Sequence, residues 1–131
     1  MEVLKSKIDG LLVFKPNIFE DKRGYFRELF IKKTFKKEFI FDYMSMSKKN
    51  VIRGLHIQTK KPQGKLISVI KGEIFDVAVD MRKNSKTFGK HFSIKLNENN
   101  CSSVFIPAGF AHGFLTLKRE NIVCYSCTEY R

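Results

Sequence analysis

The most informative part of the sequence is IPAGFAHGF, residues 106–114. Pro107, Ala108 and Gly109 form a strong turn signal, and the residues from His112 to Leu117 are typical of a β-strand. This spacing predicts a tight turn that leads into a strand beginning with a histidine. From the residues alone, His112 is either a substrate ligand or a hydrogen-bonding partner of another side chain.

A second unusual stretch lies upstream, RGLHIQ at residues 53–58, and Lys65 and Gly72 follow it. Together with the Pro-x-G-x-x-His spacing of residues 107–112, it resembles the two-part signature of the cupins. Cupins are double-sheet jelly rolls, and some hold a ligand inside the barrel. The resemblance implies an all-β, cupin-type double-stranded β-helix, or jelly roll barrel.

Short β-rich runs separated by turn residues recur along the chain, as expected for a sandwich or small barrel. The predicted strands are Leu11–Phe14, Tyr25–Phe30, Phe39–Asp42, Val51–Gln58, Lys65–Lys71, Glu73–Asp80, Phe92–Lys95, Ser103–Ile106, His112–Leu117 and Ile122–Thr128. One short helix is predicted over Lys32–Glu38. With no linker or repeat in the sequence, residues 1–131 are expected to form a single domain. In the run 73–80, Asp76 and Asp80 share one strand face and are expected at the surface or rim.

The ligands of a metal-binding cupin are incomplete in this chain. Metal cupins supply a His-x-His pair and a glutamate from the first half of the signature. Here His56 is present, but Gln58 replaces the second histidine and Lys65 replaces the glutamate. A divalent ion would have too few ligands and an ammonium beside it, so we expect no metal.

The same substitution indicates a type of reaction. A histidine beside a lysine in a closed pocket suits proton abstraction next to a carbonyl, because the cation stabilises the enolate oxygen. Inversion then needs a proton donor on the opposite face of the reacting ring, and a tyrosine is a weak acid that stays protonated at neutral pH. His56, Lys65 and Tyr125 are the candidates. Alternation predicts that Tyr125 shares a strand face with Val123 and Cys127.

The formal net charge of +12, from 25 basic and 13 acidic residues, favours an anionic partner. The basic residues lie in short scattered clusters rather than one tract, which makes a nucleic-acid-binding domain the weaker interpretation.

No apolar run long enough to span a membrane occurs, and the N-terminus lacks a signal-peptide pattern. The three cysteines, an odd number, indicate reduced thiols and therefore a cytoplasmic protein. The scattered charge clusters and the lack of an apolar span lead us to expect neither nucleic-acid nor membrane partners.

Over almost its whole length the chain resembles the dTDP-4-dehydrorhamnose 3,5-epimerase family of deoxysugar biosynthesis. The matching stretches are FEDKRGYFRE at residues 19–28, then residues 45–58, 63–66, 72–82, 87–89, and 106–114 through to Tyr130. The resemblance implies that His56 is the base, Lys65 stabilises the enolate and Tyr125 is the acid, acting without a cofactor on a nucleoside-diphosphate 4-keto sugar.

The resemblance also implies binding residues and a partner. Arg53 and His112 would contact the nucleotide sugar, and Arg23 and Glu28 would complete the pocket. In the family the N-terminal strand reaches into a partner subunit, so a homodimer is implied in which Arg23 and Glu28 serve the neighbouring site. Strict alternation places Arg53 on the face opposite His56, and a bulge at Gly54 would remove this conflict.

The chain departs from the family in two places. Residues 41–44, Phe-Asp-Tyr-Met, replace a Gln-Asp-Asn-His run whose Gln and Asn help to bind the nucleotide. The family also continues beyond residue 131 with a segment that holds an aspartate orienting the catalytic histidine, a role left here to Asp76 or Asp80. The alternatives that stay open are epimerisation of C3 alone, action on a GDP-linked 4-keto heptose, and sugar-nucleotide binding without turnover.

Overall fold

A computed structural model describes all residues from 1 to 131 and contains twelve strands and no helix. The strands are β1 Glu2–Lys5, β2 Leu12–Lys15, β3 Ile18–Asp21, β4 Gly24–Arg27, β5 Phe41–Lys48, β6 Ile52–His56, β7 Lys65–Lys71, β8 Glu73–Asp80, β9 His91–Asn97, β10 Ser103–Ile106, β11 Phe110–Thr116 and β12 Glu120–Cys127. The bounds predicted for β7, β8 and β10 are confirmed, whereas β1 and β3 were not predicted.

The strands form two large sheets and one separate hairpin. The larger sheet has the order β1-β2-β10-β7-β12-β5, the smaller has the order β6-β11-β8-β9, and β3 pairs only with β4. The main core lies between the two large sheets and includes Ile67 and Val69 from β7, Ile74 from β8 and Val123 from β12, none more than 1% exposed. Each such side chain contributes about 1.5–3 kcal/mol on burial, so this core holds the two sheets together.

The turn between β7 and β8 requires a glycine. Gly72 has a φ of 84°, and a Cβ atom at this position would lie 2.3 Å from the carbonyl oxygen of Glu120. No other residue fits there without moving the backbone. This turn sends β7 and β8 into different sheets, which is how the chain places Lys65 and Asp76 on opposite walls of the same interior.

The predicted helix over Lys32–Glu38 is wrong. Residues 32–34 form only a turn, closed by the N–H groups of Thr34 and Phe35, which donate to the carbonyl of Ile31. Phe39 lies nine positions after Phe30, about two and a half helical turns, so a helix would point these rings in opposite directions. In the structure their centroids lie 4.8 Å apart, because irregular backbone lets both rings pack on the buried Phe35.

The expectation that Asp76 and Asp80 lie at the surface or rim is also wrong. The predicted alternation of β8 is confirmed, but the face that carries both carboxylates is the inner one, and they are 2% and 0% exposed. Burial of these groups is tolerated because each accepts hydrogen bonds. Asp76 is bonded to His112, and Asp80 accepts from Arg82, Ser85 and Thr87.

The structure contains no helix with the length and apolar character needed to cross a membrane. All three cysteines, Cys101, Cys124 and Cys127, are free thiols.

Candidate active site

A cavity of about 730 Å³ opens between the two large sheets. It brings together five of the residues predicted for the site. The smaller sheet contributes Arg53, His56 and His112, and the larger sheet contributes Lys65 and Tyr125. A ligand in this cavity would therefore have functional groups on two opposite sides.

A bulge in β6 allows Arg53 and His56 to face the same cavity. His56 pairs with His112 and Arg53 pairs with Phe114, so three steps along β6 match two along β11. The irregularity falls at Gly54, whose φ is 109° and where a Cβ atom would lie 2.5 Å from the carbonyl oxygen of His112. The predicted bulge at Gly54 is confirmed, and it removes the conflict between strand alternation and a shared site.

His112 is held rigidly by a carboxylate. Its Nε2 lies 2.7 Å from Oδ2 of Asp76, and both side chains are buried. His56, directly opposite on β6, is exposed to the cavity and has no hydrogen bond to Asp76 or Asp80. The two imidazoles therefore differ: His112 is fixed in orientation, whereas His56 is free to approach a ligand.

Tyr125 is buried on β12, on the same face as Val123 and Cys127, as alternation predicted. Its hydroxyl shares a hydrogen bond of 3.0 Å with Oγ of Ser45. Burial raises the pKa of the Tyr125 phenol, although the Ser45 hydrogen bond opposes part of that shift. The phenol is therefore protonated over the physiological range, as a proton donor must be.

Lys65 begins β7 and is partly buried at the cavity wall. Burial lowers the pKa of its ammonium, and the negative charge of Asp76 opposes this shift. The cavity lining contains the cations of Lys65, Arg53 and Arg131 but no aspartate or glutamate side chain. This balance of charge suits a ligand with phosphate groups and a carbonyl that becomes negative during reaction.

Arg53 is oriented by β5. Its Nε donates a hydrogen bond of 2.8 Å to Oγ of Ser47, which is buried. The contact fixes the guanidinium group at the cavity while leaving most of its N–H groups for a ligand.

Arg23 and Glu28 do not line this cavity. Arg23 lies in the β3–β4 turn with a side chain that is 90% exposed, and it forms an ion pair with Asp21. Glu28 follows β4, and its Oε1 accepts a hydrogen bond of 3.2 Å from Nδ2 of Asn17. Within one chain, these two residues stand apart from the five that meet in the cavity.

The supporting role of β5 in the site was not predicted from the sequence. The inward residues Tyr43, Ser45 and Ser47 contact, in turn, the ring of Tyr125, the hydroxyl of Tyr125 and the guanidinium of Arg53. Burial along residues 41–48 follows a period of two, but hydrophobic alternation does not indicate this inward face, because it carries Ser45 and Ser47 while Met44 and Met46 are exposed.

No three His, Cys, Asp or Glu side chains come close enough together to hold a metal ion. Independence from metals and cofactors stays a prediction.

Comparison with known proteins gives a consistent result. A family model described as dTDP-4-dehydrorhamnose 3,5-epimerase matches residues 5–131. The enzyme of that name from Methanothermobacter thermautotrophicus is 50% identical over 131 residues, which cover 96% of this chain and 71% of that protein. Its counterpart from Shigella flexneri is 44% identical over 99% of this chain and 76% of the relative.

Two solved structures agree closely with the fold. The dTDP-6-deoxy-D-glucose-3,5-epimerase of Legionella pneumophila, in complex with dTDP-4-keto-L-rhamnose, superposes with a TM-score of 0.96 at 42% identity, covering 99% of this chain and 72% of that one. The Bacillus anthracis enzyme with TDP and pyrophosphate bound gives 0.95 at 38% identity, covering 99% and 78%. The prediction of an all-β cupin-type fold is confirmed.

Proposed function

Since this chain belongs to the dTDP-4-dehydrorhamnose 3,5-epimerase family, we propose that it inverts carbon centres next to the ketone of a nucleoside-diphosphate 4-keto-6-deoxy sugar. Two relatives of known structure, from Legionella pneumophila and Bacillus anthracis, were solved with dTDP-4-keto-L-rhamnose and with TDP and pyrophosphate. We therefore take a dTDP-linked sugar as the first substrate to test.

The placement of His56 and Tyr125 is what supports this function, because they enter one cavity from opposite sheets. In the proposed mechanism, His56 removes the proton from the carbon beside the ketone, and the electron pair of the C–H bond moves to the carbonyl oxygen. The ammonium of Lys65 stabilises the resulting enolate. Tyr125 then donates its proton to the other face of the same carbon, which inverts the centre.

Arg53 and Arg131 supply the positive charge expected around a diphosphate. His112, held by Asp76, is proposed to contact the sugar from the same wall as His56. Because the two large sheets share one core and one cavity, we propose that residues 1–131 act as one catalytic domain. A cytoplasmic location remains part of this proposal, and the three free thiols are consistent with it.

The function is tested by NMR in heavy water with dTDP-4-keto-6-deoxyglucose. We expect deuterium at C3 and C5 together with formation of the 4-keto-rhamnose product, and loss of both signals in His56→Ala. His91→Ala is the matched control, since His91 is an exposed histidine on β9 outside the cavity. Exchange at C3 alone would identify a monoepimerase. Faster turnover of a GDP-linked 4-keto heptose would identify that heptose, and not the dTDP-linked sugar, as the substrate. Binding without any exchange would refute catalysis.

We also propose a homodimer in which the β3–β4 hairpin reaches the partner's cavity. The hairpin pairs with neither large sheet, and its rings at Phe19, Tyr25 and Phe26 are 57%, 53% and 70% exposed. Its base is anchored by Arg27, which donates to the carbonyls of Cys101 and Val69. An anchored apolar hairpin with no cover in its own chain is suited to packing on a second copy.

Subunit mixing tests this arrangement. Arg23→Ala and His56→Ala are each expected to be nearly inactive alone. If Arg23 serves the neighbouring site, a mixed dimer contains one complete site and activity returns on mixing. If Arg23 serves its own site, every site in the mixture stays defective. Light scattering should give the mass of two chains, and a monomer would refute the dimer. The same mixing experiment with Glu28→Ala tests Glu28.

A further inference from the structure

Tyr43 and Tyr125 are direct cross-strand partners on β5 and β12. Their ring centroids lie 4.4 Å apart and the ring planes differ by only 14°, so the two rings are stacked. The next ring to Tyr125 is Phe114, tilted and 6.3 Å away. Tyr43 is therefore the main aromatic contact of Tyr125.

Two contacts determine where the Tyr125 hydroxyl points. The Ser45 hydrogen bond restrains the oxygen, and the Tyr43 ring restrains the plane of the phenol. Both come from the inward face of β5, which is one of the two edge strands of the larger sheet. A hydrogen bond alone leaves the ring able to tilt, whereas a stacked neighbour fixes its plane.

We propose that Tyr43 is a positioning residue for the proton donor Tyr125. This inference rests on the proposed function. Tyr43 acts by holding the Tyr125 ring in the plane from which its hydroxyl reaches the face of the sugar opposite His56. The hydroxyl of Tyr43 is not needed for this role, because the contact with Tyr125 is made by the ring.

The role has a consequence that a purely structural residue would not produce. His56 forms the enolate by taking the proton, and the enolate then has two fates. Tyr125 protonates it from the opposite face, which inverts the centre, or His56 returns a proton to the original face. In heavy water the proton held by His56 exchanges with solvent before it is returned, so the second fate incorporates deuterium without inversion. Displacing Tyr125 therefore raises the ratio of exchange to inversion, even where the overall rate also falls.

The experiment compares Tyr43→Phe with Tyr43→Leu on dTDP-4-keto-6-deoxyglucose in heavy water, following exchange and inversion by NMR. Tyr43→Phe keeps the stacked ring and is expected to keep the wild-type ratio within about twofold. Tyr43→Leu is expected to raise the ratio about fivefold, from the strength of an aromatic pair. Tyr125→Phe gives the upper limit of the ratio, and Met46→Leu, an exposed position on β5, is the matched control.

Each result either supports or overturns the role proposed for Tyr43. An unchanged ratio in Tyr43→Leu overturns it, and so does a ratio in Tyr43→Phe as high as in Tyr43→Leu, which would assign the effect to the hydroxyl. If Tyr43→Leu does not fold by circular dichroism, Tyr43→Thr replaces it, since threonine is compatible with a strand. A wild-type protein with neither exchange nor inversion would refute the proposed function itself, and this inference with it.

Discussion

His56 and His112 face each other across the β6–β11 pair, but only His112 is bound to a carboxylate. This asymmetry separates a fixed imidazole from one that is open to the ligand. We expect His56→Gln to reduce deuterium exchange at least about 100-fold, the smaller end of the contribution of a general base. Because His56 is exposed, the thermal midpoint should stay unchanged. Exchange is measured by NMR with His91→Gln as the control, and near wild-type exchange in His56→Gln would contradict the assignment.

The pH dependence of the reaction should report Lys65. Burial lowers the pKa of its ammonium below the ordinary lysine value of 10.5, and the active form is the protonated one. Activity should therefore fall as the pH rises through that lowered pKa, at a pH where Tyr125, whose pKa is raised by burial, is still protonated. Lys65→Arg should move this basic limb of kcat/KM upward, because a guanidinium stays charged. If kcat/KM falls at the same pH in wild type and Lys65→Arg, the group that titrates is not Lys65.

The charge of Asp76 should also affect the pH at which kcat/KM falls, with an effect opposite to that of burial. Its negative charge raises the pKa of Lys65, in opposition to the effect of burial. Asp76→Asn removes the charge while an amide oxygen can still accept a hydrogen bond from His112. We expect the basic limb of kcat/KM to move to lower pH in Asp76→Asn. Movement to higher pH would show that Asp76 acts on catalysis through something other than its charge.

Local patterns in the sequence were sufficient for part of the fold and the site. The bounds of β7 and β8 follow from the β-rich runs on either side of the Gly72 turn, and alternation in β12 placed Tyr125 on the same face as Val123 and Cys127. The Gly54 bulge was predictable for a similar reason, because a conflict between two neighbouring side chains, Arg53 and His56, lies within one short strand.

Features that depend on distant partners were not predictable in this way. Asp76 is tolerated in the interior only because His112, 36 residues away, provides a hydrogen bond. Tyr43 lies opposite Tyr125 through a pairing of β5 and β12 that no local pattern specifies. The short run Lys32–Glu38 has a helical composition, yet the packing of Phe35 outweighs the small gain of so short a helix.

Asp80 should contribute to stability rather than to catalysis. It is fully buried at the end of β8 and accepts hydrogen bonds from the backbone and side chain of Arg82 and from the hydroxyls of Ser85 and Thr87, which together lower its pKa. Asp80→Asn is expected to cost about 3 kcal/mol of unfolding free energy, because an amide satisfies only part of these donors.

The lowered pKa of Asp80 also fixes the pH range of this contribution. Its folded-state pKa lies below the ordinary value of 3.8, so the stabilisation is fully present above that value and is lost as the pH falls through the lower pKa of the folded state. Urea unfolding of wild type and Asp80→Asn should therefore show a constant difference near neutral pH that shrinks in strong acid. Asp42→Asn, at an exposed position on β5, should show little difference at any pH. A difference between wild type and Asp80→Asn that grew towards acid would mean that Asp80 is protonated in the folded protein and acts as a donor.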